Sequence, residues 1–507
     1  MKNLIRVPLS ILGKCINYFL GIIILMIFSG CAANSPDKTS QVDGVSTPSA
    51  YYSKLDEVPS NENWIKEISK DKDLGNIIRA VLKNNKDLQK AANNVRRAAA
   101  RAKITASNRF PKFAAGVGGQ RNQQAFLGLP FGDADPQLSK SLFNAYGLSL
   151  DMNWEVDLWG RVKAGQEANI AEYEATFEEL QSFRSSLAGQ TAKIWFGMLG
   201  AEQQVALATS SLQSFKDTRQ LIQSAYESGN GKASQVYLAS SDVKVAEALL
   251  SERKAQSRAA ARQLEILMGR YPKGDIKISG VLPSLPAPPP PGIPSDLLFR
   301  RSDLRAVERK LAASNRRIKE ARLALLPQIS LTGSAGTATE SLKYIADTTA
   351  GIWNIAGQTG APIFRGGEVL ANLKIRKVNQ SDAELDYQNM FLEALKDVEN
   401  CLDNEVVLKS RWEAMNNAKG NLIKSYERAL AEFKNGIGTS MNLLLTQRQM
   451  LSVSSQVLEL DRLRLDNRIN LHLSLGGSLP QKSKKCQGRP NRKSARQVQH
   501  RPNLQIR

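Results

Sequence analysis

Between Tyr146 and Leu158 the chain alternates without a break. Tyr146, Leu148, Leu150, Met152, Trp154, Val156 and Leu158 occupy every second position, and Ser149, Asp151, Asn153, Glu155 and Asp157 lie between them. A period of two places these sets on opposite faces of a strand. The run of 13 residues exceeds the ~5–6 of an ordinary strand and suffices for the ~9–11 that a tilted strand needs to cross a bilayer. The pattern predicts a membrane strand with one face for lipid and one for water. After Gly160 and Arg161 the period changes, and Ile170, Tyr173, Phe177, Leu180, Leu187, Thr191, Ile194 and Met198 mark one stripe of a helix. No proline occurs between Pro136 and Pro272, so nothing halts this helix before Gly229 and Gly231. Roughly seventy residues at ~1.5 Å each make a rod on the order of 100 Å.

The remaining elements follow from the same reading. A first repeat over 62–280 contains helical periodicity from Asp73, a second helical run from Asp87 to Asn108, and a stop at Pro111. Phe113, Ala115 and Val117 supply the other leg of a hairpin over 112–158; a long helix 160–228 and a return helix 232–270 follow. The return helix must pack antiparallel to bury its stripe. Pro288 to Pro291 make 281–294 a semi-rigid linker. Then the order recurs. Asp87-Leu88 and Asp303-Leu304 each precede a proline, Pro111 and Pro327, by 24 positions counted from the aspartate, at an offset of 216. Tyr226, Gly229, Gly231 and Gly269 match Phe433, Gly436, Gly438 and Gly476 at an offset of 207. A second repeat over 295–480 is therefore predicted, with a hairpin 327–363, a long helix 366–435 and a return helix 439–476.

Two hairpins give four strands, too few to enclose anything, since ~8 barely enclose side chains. An open sheet edge cannot survive in lipid. Several copies must pool their strands: two would give eight strands and a filled barrel, three a trimeric 12-stranded β-barrel with a lumen, and three are favoured. Asp151, Asn153, Glu155 and Asp157 would face its lumen; Leu148, Leu150, Trp154 and Leu158 would face lipid. The fold class is thus a mixed α and β membrane protein with an internal two-fold repeat.

Composition narrows the chemistry. Lys2 and Arg6 precede an apolar run from Tyr18 to Phe28, too short for a spanning helix, and Ser29-Gly30-Cys31 follows; residues 1–30 read as a signal peptide. Residues 31–61 are a polar spacer. Among 4 cysteines, Cys15, Cys31, Cys401 and Cys486, no disulfide framework or metal spacing can be built. The formal charge is +21, yet the tail 481–507 holds nine Lys/Arg and no acid, and without it and Lys2, Arg6 and Lys14 the balance is +9. The tail is expected to be disordered, and charge gathered at the termini does not fit a nucleic-acid partner. The 2 histidines, His472 and His500, cannot assemble a His-based triad or a His-rich metal site. Gly229-Asn230-Gly231 and Gly116-Val117-Gly118-Gly119 do not carry a phosphate-loop spacing with Lys-Ser/Thr. No enzyme activity and no cofactor are expected.

Phe28-Ser29-Gly30-Cys31 resembles a bacterial lipobox, which implies lipidation at Cys31; Ala32 after it implies the outer membrane. Pro294-Ser295-Asp296-Leu297-Leu298-Phe299-Arg300-Arg301-Ser302-Asp303-Leu304-Arg305-Ala306-Val307-Glu308-Arg309 is similar to the middle motif of TolC-like outer-membrane efflux lipoproteins, with Ser302 in place of the family's proline. Val156-Asp157-Leu158-Trp159-Gly160-Arg161, Pro362-Ile363-Phe364-Arg365-Gly366-Gly367 and Gly436-Ile437-Gly438-Thr439-Ser440 add to the likeness, which spans roughly residues 55 to 480. The resemblance, closest to RND-type lipoproteins of the NodT-like subfamily, implies a homotrimer whose 12-stranded outer-membrane β-barrel is continuous with a long α-helical periplasmic barrel, a passive exit duct of a tripartite export system. Its implied partners are a periplasmic adaptor (membrane fusion) protein, an inner-membrane transporter of the RND type and outer-membrane lipid. It also implies that the helix-hairpin tips close the periplasmic end and meet the adaptor. The tip residues here are Tyr226, Gly229, Gly231, Tyr237, Phe433, Gly436, Gly438 and Asn442; a plain turn between helices explains the glycines equally well. Relatives often carry Asp where this chain has Tyr237 and Asn442, which puts an acidic constriction in doubt, although Asp242 lies about one turn deeper. The competing reading is a lipid-anchored periplasmic coiled-coil scaffold or adaptor without a pore.

Overall fold

The computed structural model describes residues 72–126, 139–278, 280–288 and 300–477. The expected signal peptide, Cys31, the spacer, the end of the proline-rich linker and the basic tail lie outside the described residues. In chain order the elements are α1 (Lys72–Asn84), α2 (Lys86–Ser107), β1 (Lys112–Phe126), β2 (Ser139–Val156), α3 (Arg161–Glu227), α4 (Ala233–Leu267), α5 (Ser302–Leu323), β3 (Gln328–Thr337), β4 (Gly351–Gly360), α6 (Glu368–Lys434) and α7 (Ser440–Ser474). Helices α3 and α6 are 67 residues each, and α4 and α7 are 35 each. No helix among the described residues is long and apolar enough to cross a membrane.

Chain contacts divide the molecule into two compact units, and α3 and α6 contribute to both. The first unit holds one four-stranded antiparallel sheet of order β1-β2-β3-β4, so β1 and β4 are its edges. Strand β2 starts at Ser139, seven residues before the regular alternation. Ser149 to Asn153 pair with both neighbours, Trp154 to Val156 with β3 alone, and Ser139 to Leu148 in the β-ladder with β1 alone. Beneath the sheet, α5 lies against α3 through five ion pairs: Arg305–Glu178 at 2.7 Å, Arg309–Glu174 at 3.5 Å, Lys310–Glu179 at 2.5 Å, Arg316–Glu167 at 3.4 Å and Arg317–Glu172 at 3.1 Å. From Arg305–Glu178 through Arg309–Glu174 to Arg316–Glu167 the numbers rise on one helix as they fall on the other, which makes the pair antiparallel. Arg309 is buried and also takes Glu308, so the family-like motif ends in a structural clamp. At its start, Arg305 also donates to the Ser302 hydroxyl at 2.9 Å, a contact that proline could not accept.

The second unit is a helical bundle with an apolar core that includes Phe196, Ile222, Leu264, Leu402, Leu443 and Leu465, each under 2 % exposed. Asn85 separates α1 from α2. Its side-chain oxygen accepts the N–H groups of Asp87 and Leu88 at 3.0 and 2.9 Å, and its amide donates to the Leu267 carbonyl. This satisfies helix-start donors that would otherwise be orphaned. One buried charge pair sits in this core: Arg468, 1 % exposed, meets Glu405 at 2.5 Å and also donates to the Pro286 carbonyl, tying the proline-rich linker to the bundle. Burial, with Arg468 nearby, lowers the His472 pKa to about 4, so this histidine is neutral. Cys401 is buried and its thiol pKa is raised by burial, as suits a small core residue.

Candidate functional site

The ladder registers decide what each face of the sheet carries. On one face lie the rows Lys112–Asn153–Thr332–Ala356 and Ala114–Asp151–Ser334–Asn354, with Glu155–Ser330–Gln358 below them. On the other lie Phe113–Met152–Gly333–Ile355 and Ala115–Leu150–Ala335–Trp353. Val117, Trp353, Ile355 and Phe113 on that second face are 76 %, 75 %, 65 % and 63 % exposed. Such a contiguous exposed apolar surface is what a lipid-facing wall requires.

On the polar face Asp151 is a small hub. Its carboxylate accepts from the Ser149 hydroxyl at 2.8 Å and from the Ser334 hydroxyl at 2.7 Å. Asn153 stands between Lys112 and Thr332, and Glu155 is held by Arg161 through two bonds from one nitrogen at 2.7 Å each and a third at 3.2 Å. Asp157, expected in the wall, has a different role. Strand β2 ends at Val156, and the Asp157 carboxylate accepts the backbone N–H groups of Val162 and Lys163 at 3.0 and 2.7 Å. It caps α3, because the first turn of a helix leaves such donors open and favours negative charge. Where β3 and β4 meet α5 and α6, a cavity of about 600 Å³ opens on the same face, lined by Asn153, Glu155, Ser330, Gln358, Arg365 and Glu368 among others.

The two helix tips have one geometry. At the first, Gly229 has φ +79 and donates to the Tyr226 carbonyl, while Asn230 donates to the Ala225 carbonyl. At the second, Gly436 has φ +77 and donates to the Phe433 carbonyl, while Ile437 donates to the Glu432 carbonyl. Both are glycine-terminated helix ends. The second glycine of each pair is forced by space: a Cβ on Gly231 would lie 3.0 Å from the Tyr226 nitrogen, and one on Gly438 would lie 2.8 Å from the Phe433 nitrogen. The tips are brought together in the bundle, where Phe433 packs on Ile222, Ala239 and Leu444. Tyr237, 76 % exposed, and Asn442 stay at the surface. Asn442 donates its backbone N–H to the Thr439 hydroxyl that caps α7. Asp242 is engaged by Arg448, at 3.0 and 2.8 Å.

The family model for outer membrane efflux proteins matches residues 77–270 and 293–477. This chain belongs to the outer membrane efflux protein family. It is an efflux channel of the outer membrane, not an enzyme, and the poreless scaffold is set aside. The efflux protein is 30% identical over 419 residues to the probable efflux pump outer membrane protein SepC of Pseudomonas putida, covering 82% of this chain and 85% of the relative. It is 26% identical over 414 residues to the cation efflux system protein CusC of Escherichia coli, covering 81% and 87%. Among solved structures, the CmeC outer membrane channel of Campylobacter jejuni superposes with a TM-score of 0.79 at 22% identity, covering 89% of this chain and 96% of that one. The outer-membrane channel OprN gives 0.77 at 24% identity, covering 88% and 99%. These likenesses establish the fold.

Sequence reasoning missed the residues that hold the polar wall in place. Ser334 and Arg161 are partners only through a register and a turn that set them beside Asp151 and Glu155. Arg161 had a local signal, since it follows a positive-φ Gly160 six residues after Glu155.

Proposed function

We propose that three copies of this efflux protein close one twelve-stranded barrel whose lumen is lined by Asp151, Asn153 and Glu155. The observation that carries this reading is a four-stranded sheet with opposite polar and apolar faces and two open edges, β1 and β4. Four strands cannot close on themselves, and unpaired edges are not tolerated in lipid. The apolar positions Ile375, Val378, Leu385 and Leu392, exposed along α6 at near-heptad spacing, supply a second seam between copies. The two repeats over 62–280 and 295–480 each contribute one hairpin, one long helix and one return helix to this assembly.

The duct is passive and works with a periplasmic adaptor and an inner-membrane pump of the RND type. The paired tips, with Tyr226, Tyr237 and Asn442 at their surface, form the periplasmic end that meets the adaptor, and Cys31 carries the lipid anchor. Substrates differ among the relatives: TtgF is named a toluene efflux protein and CusC a cation efflux protein. Native mass spectrometry of the detergent-extracted protein, combined with conductance in planar bilayers, tests the reading. A trimer that opens ion-conducting steps supports it, and a stable monomer without conductance overturns it. For the anchor, Cys31→Ser should abolish acyl labelling.

A further inference from the structure

Two joints carry the chain from a strand into a 67-residue helix. After β2, Trp159 stands three residues past the strand end, and its indole N–H donates to the carbonyl of Pro327 at 2.7 Å, the residue immediately before β3. The first joint thus fastens itself to the start of the next strand. After β4 the corresponding place holds Ile363 and Phe364, three and four residues past the strand end, and they are 98 % and 86 % exposed. Among the described residues no strand follows β4 for them to reach.

We infer that Ile363 and Phe364 dock on the start of β1 in a second copy of this chain, against Phe110 and Pro111 of the partner subunit, and so lock adjacent copies at the level where barrel becomes helix. This rests on the proposed closed ring, in which β4 pairs with β1 of the next copy. Four observations converge on it. Pro111 precedes β1 as Pro327 precedes β3, so the partner offers the same kind of strand start that Trp159 uses within its own chain. Phe110, beside that proline, is 55 % exposed, and Phe113 next to it continues the apolar face of the sheet at 63 %. The strand ends are staggered to suit: Lys112 stands level with Asn153, Thr332 and Ala356, and β2, β3 and β4 run on by three, four and four residues. That stagger is the signature of tilted strands, and it brings the start of the partner's β1 beside the end of β4. Finally, Gly366 and Gly367, with φ +57 and +86, turn the chain directly after Phe364, between the charged Arg365 and Glu368. Charges so close are costly in hydrocarbon, so a protein surface, rather than lipid, is the occupant that covers the two apolar side chains.

The test is photo-cross-linking in the full-length protein in its native membrane, with Phe364→p-benzoylphenylalanine as the probe and Val117→p-benzoylphenylalanine, on the lipid face of β1, as the control. Irradiation should convert the position-364 protein to a heat-stable dimer band, and mass spectrometry should place the adduct on the peptide containing Phe110. The position-117 protein should yield lipid adducts instead. A trimer by native mass spectrometry whose position-364 adduct is a lipid, or a peptide elsewhere, overturns the docking while leaving the barrel intact. Loss of the trimer in the unsubstituted protein would refute the proposed barrel itself. As a second measure, Phe364→Ser should lower the temperature at which the trimer dissociates on heated gels, whereas Val117→Ser should leave it in place.

Discussion

The joint after β2 and the joint after β4 solve one geometric problem in different ways. The first is closed within the chain. Glu155 grips Arg161, Asp157 caps the Val162 and Lys163 donors and Trp159 reaches Pro327. The second relies on two consecutive positive-φ glycines and leaves Ile363 and Phe364 uncovered. The proposed ring would account for both: an internal boundary is fastened by the chain's own residues, and a terminal boundary is completed by the next copy.

The largest effect is expected at the open joint. Phe364→Ser removes about 2 kcal/mol of apolar burial at each of three contacts, so heat dissociation of the trimer should shift markedly while the far-ultraviolet circular dichroism of the folded chain is unchanged. Next, Arg161→Ala leaves Glu155 without its cation. Both side chains keep about a quarter to a third of their exposure, so solvent screening holds the cost to about 1–2 kcal/mol, read as a lower urea midpoint in detergent. Asp157→Ala should cost about 1 kcal/mol through loss of the α3 cap, with Asp157→Asn recovering part of it. Trp159→Phe keeps the ring and loses the bond to Pro327, for roughly 0.5–1.5 kcal/mol. If Trp159→Phe weakens the trimer more than the monomer, the contrast between the two joints fails.

Acid should affect the helical bundle in two opposite ways. The His472 pKa is lowered to about 4, so the neutral form is favoured in the fold, and that stability is present above the unfolded value near 6.5 and lost as pH falls toward 4. The Asp466 pKa is raised to about 6 by burial, so its charged form is disfavoured, and stability is recovered as pH falls through 6. The two changes offset. His472→Gln should therefore expose a bundle that gains stability between pH 6.5 and 5 in urea titrations.

Local pattern made much of this fold legible. The alternation of residues 146–158 lies within β2 and the turn that follows it, and the glycine pairs mark both tips. The pattern misled where it ran past the strand end: Asp157 and Leu158 kept the alternation going, although the chain had already begun to turn for α3. The upper part of β2 was silent because Leu142 and Phe143 are adjacent and break the period. The partners of Asp151 and Glu155 were not readable, since register across 183 positions, as between Asp151 and Ser334, is a property of the folded sheet.

Crowding at the tips sets what this protein can vary. Because Gly231 and Gly438 leave no room for a methyl group and Gly229 and Gly436 need left-handed backbone, four tip positions tolerate a single letter. Under the proposed docking, retuning falls to the exposed neighbours Tyr226, Asn230, Lys232, Tyr237, Ile437 and Asn442. An engineer wishing to redirect this channel to a foreign adaptor therefore has a vocabulary of a few side chains on two fixed scaffolds.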